Sequence, residues 1–240
     1  MKKFFRLKLP LALAVIALAS YVVFLEVEAS DESDEQIGPS SVWRGSDNQL
    51  HQIQQSCKGL EDDAYLHCFT SQMANMGASS EAIDFTQEYA DDHDGRIAVL
   101  RGFHALDAVD LGYAFFPDDP ESKQGWVLLN GSPDIFNVDD QESVPREQLS
   151  RNPQFLALSA AHPNAGIYPD SSQRPEDGMP QVKKTVDGGQ QFIVDYAVRD
   201  GCRTCALLGI ASYSFDFAPS GTFRSANLIK VAVVTGSRRP

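Results

Sequence analysis

The sequence contains none of the short motifs that identify the common catalytic folds. It has no G-x-S-x-G, the strained serine turn of an α/β-hydrolase, and no H-E-x-x-H of a zinc protease. It also has neither a Gly-Lys pair nor a G-x-G-x-x-G, so the usual P-loop and dinucleotide-binding fingerprints are excluded. The motifs therefore assign no catalytic residue, no cofactor and no metal ligand.

Basic residues are few. The 240 residues include 20 Lys and Arg against 33 Asp and Glu, which gives a net charge of −13 at pH 7. Such an excess of carboxylates repels nucleic acid and anionic membrane surfaces. The composition therefore argues against nucleic acid as a partner. Solubility alone explains the acidity, and a basic partner or bound cations would be the more specific interpretation.

Only one apolar run is long enough to concern a membrane, and it lies at the N-terminus. Residues 1–8 carry four basic residues and no acid, and an apolar run of 17 residues extends from Leu9 to Leu25. Val27 and Ala29 fit the small-residue positions before a signal-peptidase cut at Ser30. This order predicts a cleaved export signal over 1–29 and an extracytoplasmic protein, periplasmic or secreted, with no membrane contact after cleavage. The alternative is a chain tethered by an uncleaved N-terminal helix, for which 17 residues is the short limit.

The mature chain is expected to be one domain behind an acidic, flexible linker. Residues 30–42 are polar and acidic, with almost nothing to bury, and 43–235 form the predicted domain. Its first part, 46–95, has apolar residues at helical spacing. Ser46 with Gln49 forms a capping box at the start of the first helix. We therefore predict an N-terminal helical hairpin followed by a third helix.

The periodicity then changes from helix to strand. Residues 96–138 alternate apolar and polar side chains between turn signals, which predicts strands. Residues 145–161 return to a helical pattern, and 181–234 form a second set of strands joined by short turns. Short connections favour antiparallel neighbours. The predicted fold is α+β, with the helices packed on antiparallel sheets built from two strand meanders that a helix separates.

Four cysteines are the most informative residues of the chain. An exported protein with an even number of cysteines usually pairs them. We expect disulfides between Cys57 and Cys68, on facing stripes of two helices, and between Cys202 and Cys205, within one tight turn. The second pair forms a C-x-x-C, the pattern of thiol–disulfide oxidoreductases and of half a zinc site. A strand pattern rather than a helix follows it, which favours a structural disulfide, and zinc requires four ligands at a spacing that this sequence lacks.

Three acidic segments suggest cation binding. Residues 90–95 do not match an EF-hand loop, because Ala90 and Arg101 would occupy ligand positions. Together with 116–122 and 137–143 they are better interpreted as exposed turns, and divalent-cation binding is the alternative.

Two short aromatic segments are candidates for a partly exposed apolar patch. Trp43 lies just after the predicted linker, and Phe115 and Phe116 precede a proline.

These observations favour a non-enzymatic binding or accessory protein of the cell envelope, stabilised by disulfides, whose partner is an envelope protein. One alternative is a thiol–disulfide oxidoreductase that uses Cys202 and Cys205. The other is a divalent-cation-binding protein that uses its acidic turns. The binding-protein hypothesis predicts that Cys205 is held in a stable structural disulfide, whereas the oxidoreductase hypothesis predicts that it belongs to a redox-active dithiol.

We predict that the mature chain begins at Ser30, because a basic segment, an apolar run and a small-residue site precede it in that order. Mass spectrometry of the protein recovered from an extracytoplasmic fraction measures this directly. Recovery of a membrane-bound product that retains Leu9 to Leu25 would instead establish the tethered form.

Overall fold

The structure, a computed structural model, describes residues 36–118, 124–139, 143–169 and 179–234. Within these residues the chain forms five α-helices and two antiparallel sheets, one of four strands and one of five. The predicted α+β class is therefore confirmed. The predicted signal and the first part of the predicted linker lie outside the described residues. None of the helices in the described ranges is both long and apolar enough to span a membrane.

Three helices open the domain: α1 (Asp47–Ser56), α2 (Asp62–Asn75) and α3 (Ser80–Asp92). The predicted capping box begins α1, because the backbone N–H of Gln49 donates to Ser46 Oγ at 3.3 Å and the Ser46 N–H donates to Gln49 Oε1 at 2.7 Å. The helices pack their apolar stripes against one another and against the first strand.

The first sheet contains β1 (Val99–His104), β2 (Asp110–Phe115), β3 (Gln124–Leu129) and β4 (Ile135–Asn137), in that order. Side chains alternate between its two faces, as the pleat requires. Ala114 and Val127 pack on one face with Phe85 of α3, whereas Leu111 and Leu128 pack on the other face against the second sheet. The first sheet is therefore the middle layer of the domain.

The second half begins with α4 (Arg146–Ser150) and α5 (Pro153–Ala161). It continues with β5 (Ala165–Pro169), β6 (Gln181–Lys184), β7 (Gln190–Asp200), β8 (Leu207–Phe217) and β9 (Phe223–Val233). The strand order is β5-β7-β8-β9, and β6 pairs with the same strand, β7, as β5 does. This order leaves β9 at one edge of the sheet.

Two predictions about this half need correction. The single helix predicted over 145–161 is two helices, because the Asn152 side chain accepts hydrogen bonds from the Gln154 and Phe155 N–H groups, at 3.0 and 3.2 Å, and starts a new helix at Pro153. The strand β5 lies in the proline-rich segment 163–180, for which the sequence predicts a loop rather than a strand.

The linker and the aromatic patch also differ from prediction. Ile37 is buried and the Asn130 side chain holds its backbone, accepting from Ile37 N at 2.9 Å and donating to Ile37 O at 2.8 Å. The domain therefore begins at residue 37, inside the predicted linker. Trp43 is only 4% exposed, and its backbone N–H donates to Leu100 O at 3.0 Å. Phe116 is buried as well, and Phe115 is half-buried against the helical core, so the predicted aromatic patch is not an exposed surface.

One buried side chain joins the two sheets. Gln190, the first residue of β7, is 2% exposed. Its Oε1 accepts from Val109 N at 2.7 Å, and its Nε2 donates to Val109 O at 2.9 Å. Val109 directly precedes β2 in the first sheet. The amide of Gln190 therefore satisfies both polar groups of a buried backbone unit at the junction of the sheets.

We predict that Gln190→Leu lowers the free energy of unfolding by about 3 kcal/mol, because it leaves a buried N–H and C=O of Val109 without partners. Gln148→Leu is the matched control. Gln148 makes the same kind of paired contact to backbone, but at an exposed position, and its loss should cost about 1 kcal/mol or less. Urea denaturation measures both values, and equal losses would contradict the linking role of Gln190.

Candidate functional site

A concave site in the described part of the chain lies at the end of the helical layer. It is a cleft of about 460 Å³ between the α1–α2 turn, the α3–β1 turn and the segment after β2. Polar and charged side chains dominate its wall. The lining residues are Gln54, Gln55, Lys58, Leu60, Glu61, Asp62, Tyr65, Asp94, Gly95, Arg96 and Asp118.

A disulfide and a hydrogen bond fix the walls of this cleft. Cys57, at the end of α1, is joined to Cys68 of α2, with the two Cα atoms 5.8 Å apart. Cys57 is fully buried, so this bond ties the α1–α2 turn to the core. On the opposite wall, Gln54 Nε2 donates to Pro117 O at 2.8 Å, which holds α1 against the end of β2.

Two turns with left-handed backbone shape the rim. Gly59 has a φ of 86° in the first turn, and Gly95 has a φ of 77° in the second. Asp62 and Asp94 also have positive φ, at 48° and 53°, a conformation that aspartate tolerates better than most residues. Both aspartates thereby face the cleft from tight turns.

The electrostatics of the cleft centre on Tyr65 and Asp118. The Tyr65 hydroxyl donates a hydrogen bond to the Asp118 carboxylate. Burial raises the pKa of Tyr65 well above its ordinary value, and the bond to the negative Asp118 raises it further. Desolvation raises the pKa of Asp118, and the hydrogen bond from Tyr65 acts in the opposite direction. Tyr65 therefore stays protonated and acts as a fixed donor.

Carboxylates outnumber cations along the cleft wall. Glu61, Asp62, Asp94 and Asp118 face two basic residues, Lys58 and Arg96. The wall therefore has an excess of negative charge, as does the whole chain with its net charge of −13.

A second, smaller concave site of about 380 Å³ lies beside the end of α3. The His93 ring stacks on the Tyr89 ring with centroids 3.9 Å apart, and Asn137 Nδ2 donates to Tyr89 Oη at 2.9 Å. Burial and the nearby Asp134 and Asp92 raise the pKa of Glu88. Of the predicted acidic turns, 90–95 is described throughout, and Asp94 is the member that lies in the larger cleft.

The C-x-x-C lies in the turn between β7 and β8, as predicted from the strand pattern around it. Cys202 and Cys205 are disulfide-bonded with Cα atoms 5.0 Å apart. The Asp200 N–H donates to Ala206 O at 3.1 Å across the turn, and Arg199 Nη1 donates to Cys205 O at 2.9 Å. The turn thus lacks the helix N-terminus that acidifies the first thiol of a redox C-x-x-C.

Metal-binding chemistry was also sought among the described residues. The ranges that the structure describes hold no group of three or more His, Cys, Asp or Glu side chains arranged to bind a metal ion. Parts of the two other acidic turns, 119–122 and 140–142, lie outside the described residues.

Sequence reasoning did not find the cleft, although it found several of its parts. Tyr65 shares helical spacing with Cys68 and Phe69, which suggested a core position. The sequence predicts an exposed acidic turn around Asp118, and Asp118 is exposed in the structure. Two sequence features did point to this region: Gly59, where the first helix is predicted to end, and the acidic residues at the end of α3. The pairing of Tyr65 with Asp118 could not be predicted, because it depends on how α2 packs against the end of β2.

No protein-family model matches the chain, and no curated protein or solved structure is significantly similar to it. The site is therefore interpreted from its own residues.

We predict that Cys202 and Cys205 form a structural disulfide that resists reduction, because a strand–turn–strand setting offers no helix dipole to stabilise a thiolate. Equilibration in glutathione buffers should give a reduction potential at or below about −300 mV, with no reduction of insulin by the dithiol form. A potential within the oxidoreductase range of about −120 to −270 mV, together with insulin turnover, would support the enzyme hypothesis instead.

Proposed function

We propose that this chain is an exported, non-enzymatic binding protein of the cell envelope, stabilised by disulfides. Its ligand is a molecule or a partner side chain that carries an amine or guanidinium group, and the 460 Å³ cleft is the binding site. The observation that carries this proposal is the cleft wall, where four carboxylates face two cations and where the Cys57–Cys68 disulfide holds one of the turns that supply them.

The chemistry of the wall supports a cationic ligand. Carboxylate oxygens accept the N–H groups of amines and guanidinium ions in short, charge-assisted hydrogen bonds. Asp118 is oriented by the donor Tyr65 and is partly desolvated, which strengthens its attraction for a cation. The negative charge of the whole chain further increases the local concentration of cations.

Binding rather than catalysis is proposed because the Tyr65 hydroxyl at the centre of the cleft keeps its proton near neutral pH. A general acid or base works best when its pKa lies near the working pH. The pKa of Tyr65 is raised far above that range, so its proton stays on the hydroxyl. The cysteines, Cys57, Cys68, Cys202 and Cys205, are all held in disulfides and supply no thiol nucleophile.

The disulfides and the predicted export signal support an extracytoplasmic location. Disulfides persist in oxidising compartments such as the periplasm and the extracellular medium. The export signal predicted over residues 1–29 would deliver the chain to such a compartment.

We predict that the purified protein binds spermidine, and that Asp118→Asn weakens this binding about tenfold, because it removes a charge-assisted hydrogen bond. Isothermal titration calorimetry at low ionic strength measures both affinities. Asp84→Asn is the matched control, since Asp84 is an exposed aspartate of α3 outside the cleft and its loss changes the net charge equally.

The same titration has a pH signature. Spermidine favours the carboxylate form of Asp118, so its affinity should fall as the pH is lowered through the raised pKa of that residue. No spermidine binding, or equal losses for Asp118→Asn and Asp84→Asn, would contradict the assignment of the cleft as the binding site.

A further inference from the structure

The outer edge of β9 differs between its two halves. In the first half, the Gln148 side chain of α4 covers the edge, because its Nε2 donates to Ala226 O at 3.3 Å and its Oε1 accepts from Leu228 N at 2.6 Å. The amide of Gln148 therefore takes the place of a neighbouring strand there. A β-bulge follows at Ile229, where the register with β8 shifts.

The second half of the edge has no such cover within the described residues. The Val234 N–H donates to Leu208 O of β8 at 2.9 Å, so Val234 directs its N–H group into the sheet. Backbone polar groups alternate sides along a strand, so Val231 and Val233 direct theirs outward. No hydrogen bond from another described residue reaches these outward groups. An unpaired edge of this kind is a template for one more strand.

Apolar side chains are concentrated around this open edge. Ten large apolar side chains are exposed among the described residues, and four of them lie at the start of β8 or the end of β9: Leu207, Ile229, Val233 and Val234. Leu207 adjoins Leu208, which is bonded to Val234, so three of the four lie at the same end of the β8–β9 pair. Ile229 and Val233 are 49% and 44% exposed, although both belong to a strand.

One exposed lysine lies at this edge of a chain that is acidic as a whole. Lys230 is exposed beside the open edge and has no ion pair with any described residue. The edge therefore carries one positive charge without an ion pair among the described residues, in a protein with a net charge of −13.

We propose that the second half of β9, residues 231–233, is a docking edge for an extended segment of a partner protein in which apolar and acidic residues alternate. The segment adds a strand to the second sheet and pairs with the outward groups of Val231 and Val233. Its apolar side chains cover Val233 and Ile229, and a carboxylate lies beside Lys230. A second copy of this chain fits less well, because pairing two such edges would bring the Lys230 side chains of both copies to the same interface.

This surface lies in the second sheet, whereas the cleft is formed by the helical layer and the segment after β2. The inference therefore goes beyond the proposed ligand and does not depend on it. Loss of spermidine binding would leave the edge untouched, and loss of strand docking would leave the cleft untouched.

The test uses the intact purified protein and two blocked synthetic heptapeptides. One alternates valine with glutamate, and the other alternates valine with lysine. NMR-detected amide exchange should slow at Val231 and Val233 in the presence of the glutamate peptide and remain unchanged with the lysine peptide. Equal protection by both peptides, or protection confined to other strands, overturns the proposal.

Three variants sharpen this test. Val233→Pro removes an outward N–H while leaving the bond between Val234 and Leu208 in place, and should abolish binding of the glutamate peptide. Lys230→Glu should weaken that binding about fivefold. Lys183→Glu on β6 is the matched control, with the same change of charge at an exposed lysine of another strand, and should change it less than twofold.

Fold and assembly are measured in parallel. If Val233→Pro fails to fold by circular dichroism, the comparison of Lys230→Glu with Lys183→Glu still decides the proposal, and equal effects overturn it. Sedimentation analysis of the unliganded protein tests the rival occupant. If the protein forms a dimer, if Lys230→Glu changes that dimerisation, and if the dimer does not bind the glutamate peptide, then the edge pairs with a second copy. That result would overturn the proposal of an acidic partner segment.

Discussion

The contact between Gln190 and Val109 sets the relation between the two sheets. The Gln190 amide satisfies the N–H and C=O of Val109 at 2.7 and 2.9 Å, in a region from which water is excluded. The next residue, Asp110, accepts from Asn130 Nδ2 at 2.6 Å, and Asn130 in turn binds the backbone of Ile37. One chain of polar contacts therefore runs from β7 through the start of β2 to the beginning of the domain. Losing its first member would leave buried groups unpaired at the point where both sheets meet.

The same pattern of amide-to-backbone hydrogen bonds occurs at three places. Asn130, Gln148 and Gln190 each use a side-chain amide to bind one backbone N–H and one backbone C=O, as a neighbouring strand would. An amide suits this task because it carries a donor and an acceptor about as far apart as a peptide group does. Where such an amide is present, the segment it binds is satisfied. The end of β9 has no such amide among the described residues, and its exposed apolar side chains lie there.

A disulfide and two tight turns determine the shape of the cleft, whose wall is made of long, flexible charged side chains. The Cys57–Cys68 disulfide and the turns at Gly59 and Gly95 hold charged side chains that would otherwise be free to move. Because these side chains are already ordered before a ligand binds, binding costs less side-chain conformational entropy. The Cys202–Cys205 disulfide plays a separate part, because it closes a strand turn in the second sheet.

Local features of the sequence determined the class of fold. The Ser46–Gln49 capping box, the helical stripe of Leu50 and Ile53, and the alternation along β8 all act over a few residues, so spacing alone was enough to predict them. Tertiary structure determined the burial and the long-range contacts that residue spacing does not encode. It buried Trp43, divided the helix at Asn152, joined Gln190 to Val109 across 81 positions, and set Tyr65 beside Asp118 in the cleft. The physical reason is that a buried polar group needs a partner but does not specify its distance along the chain, and only packing brings the two together.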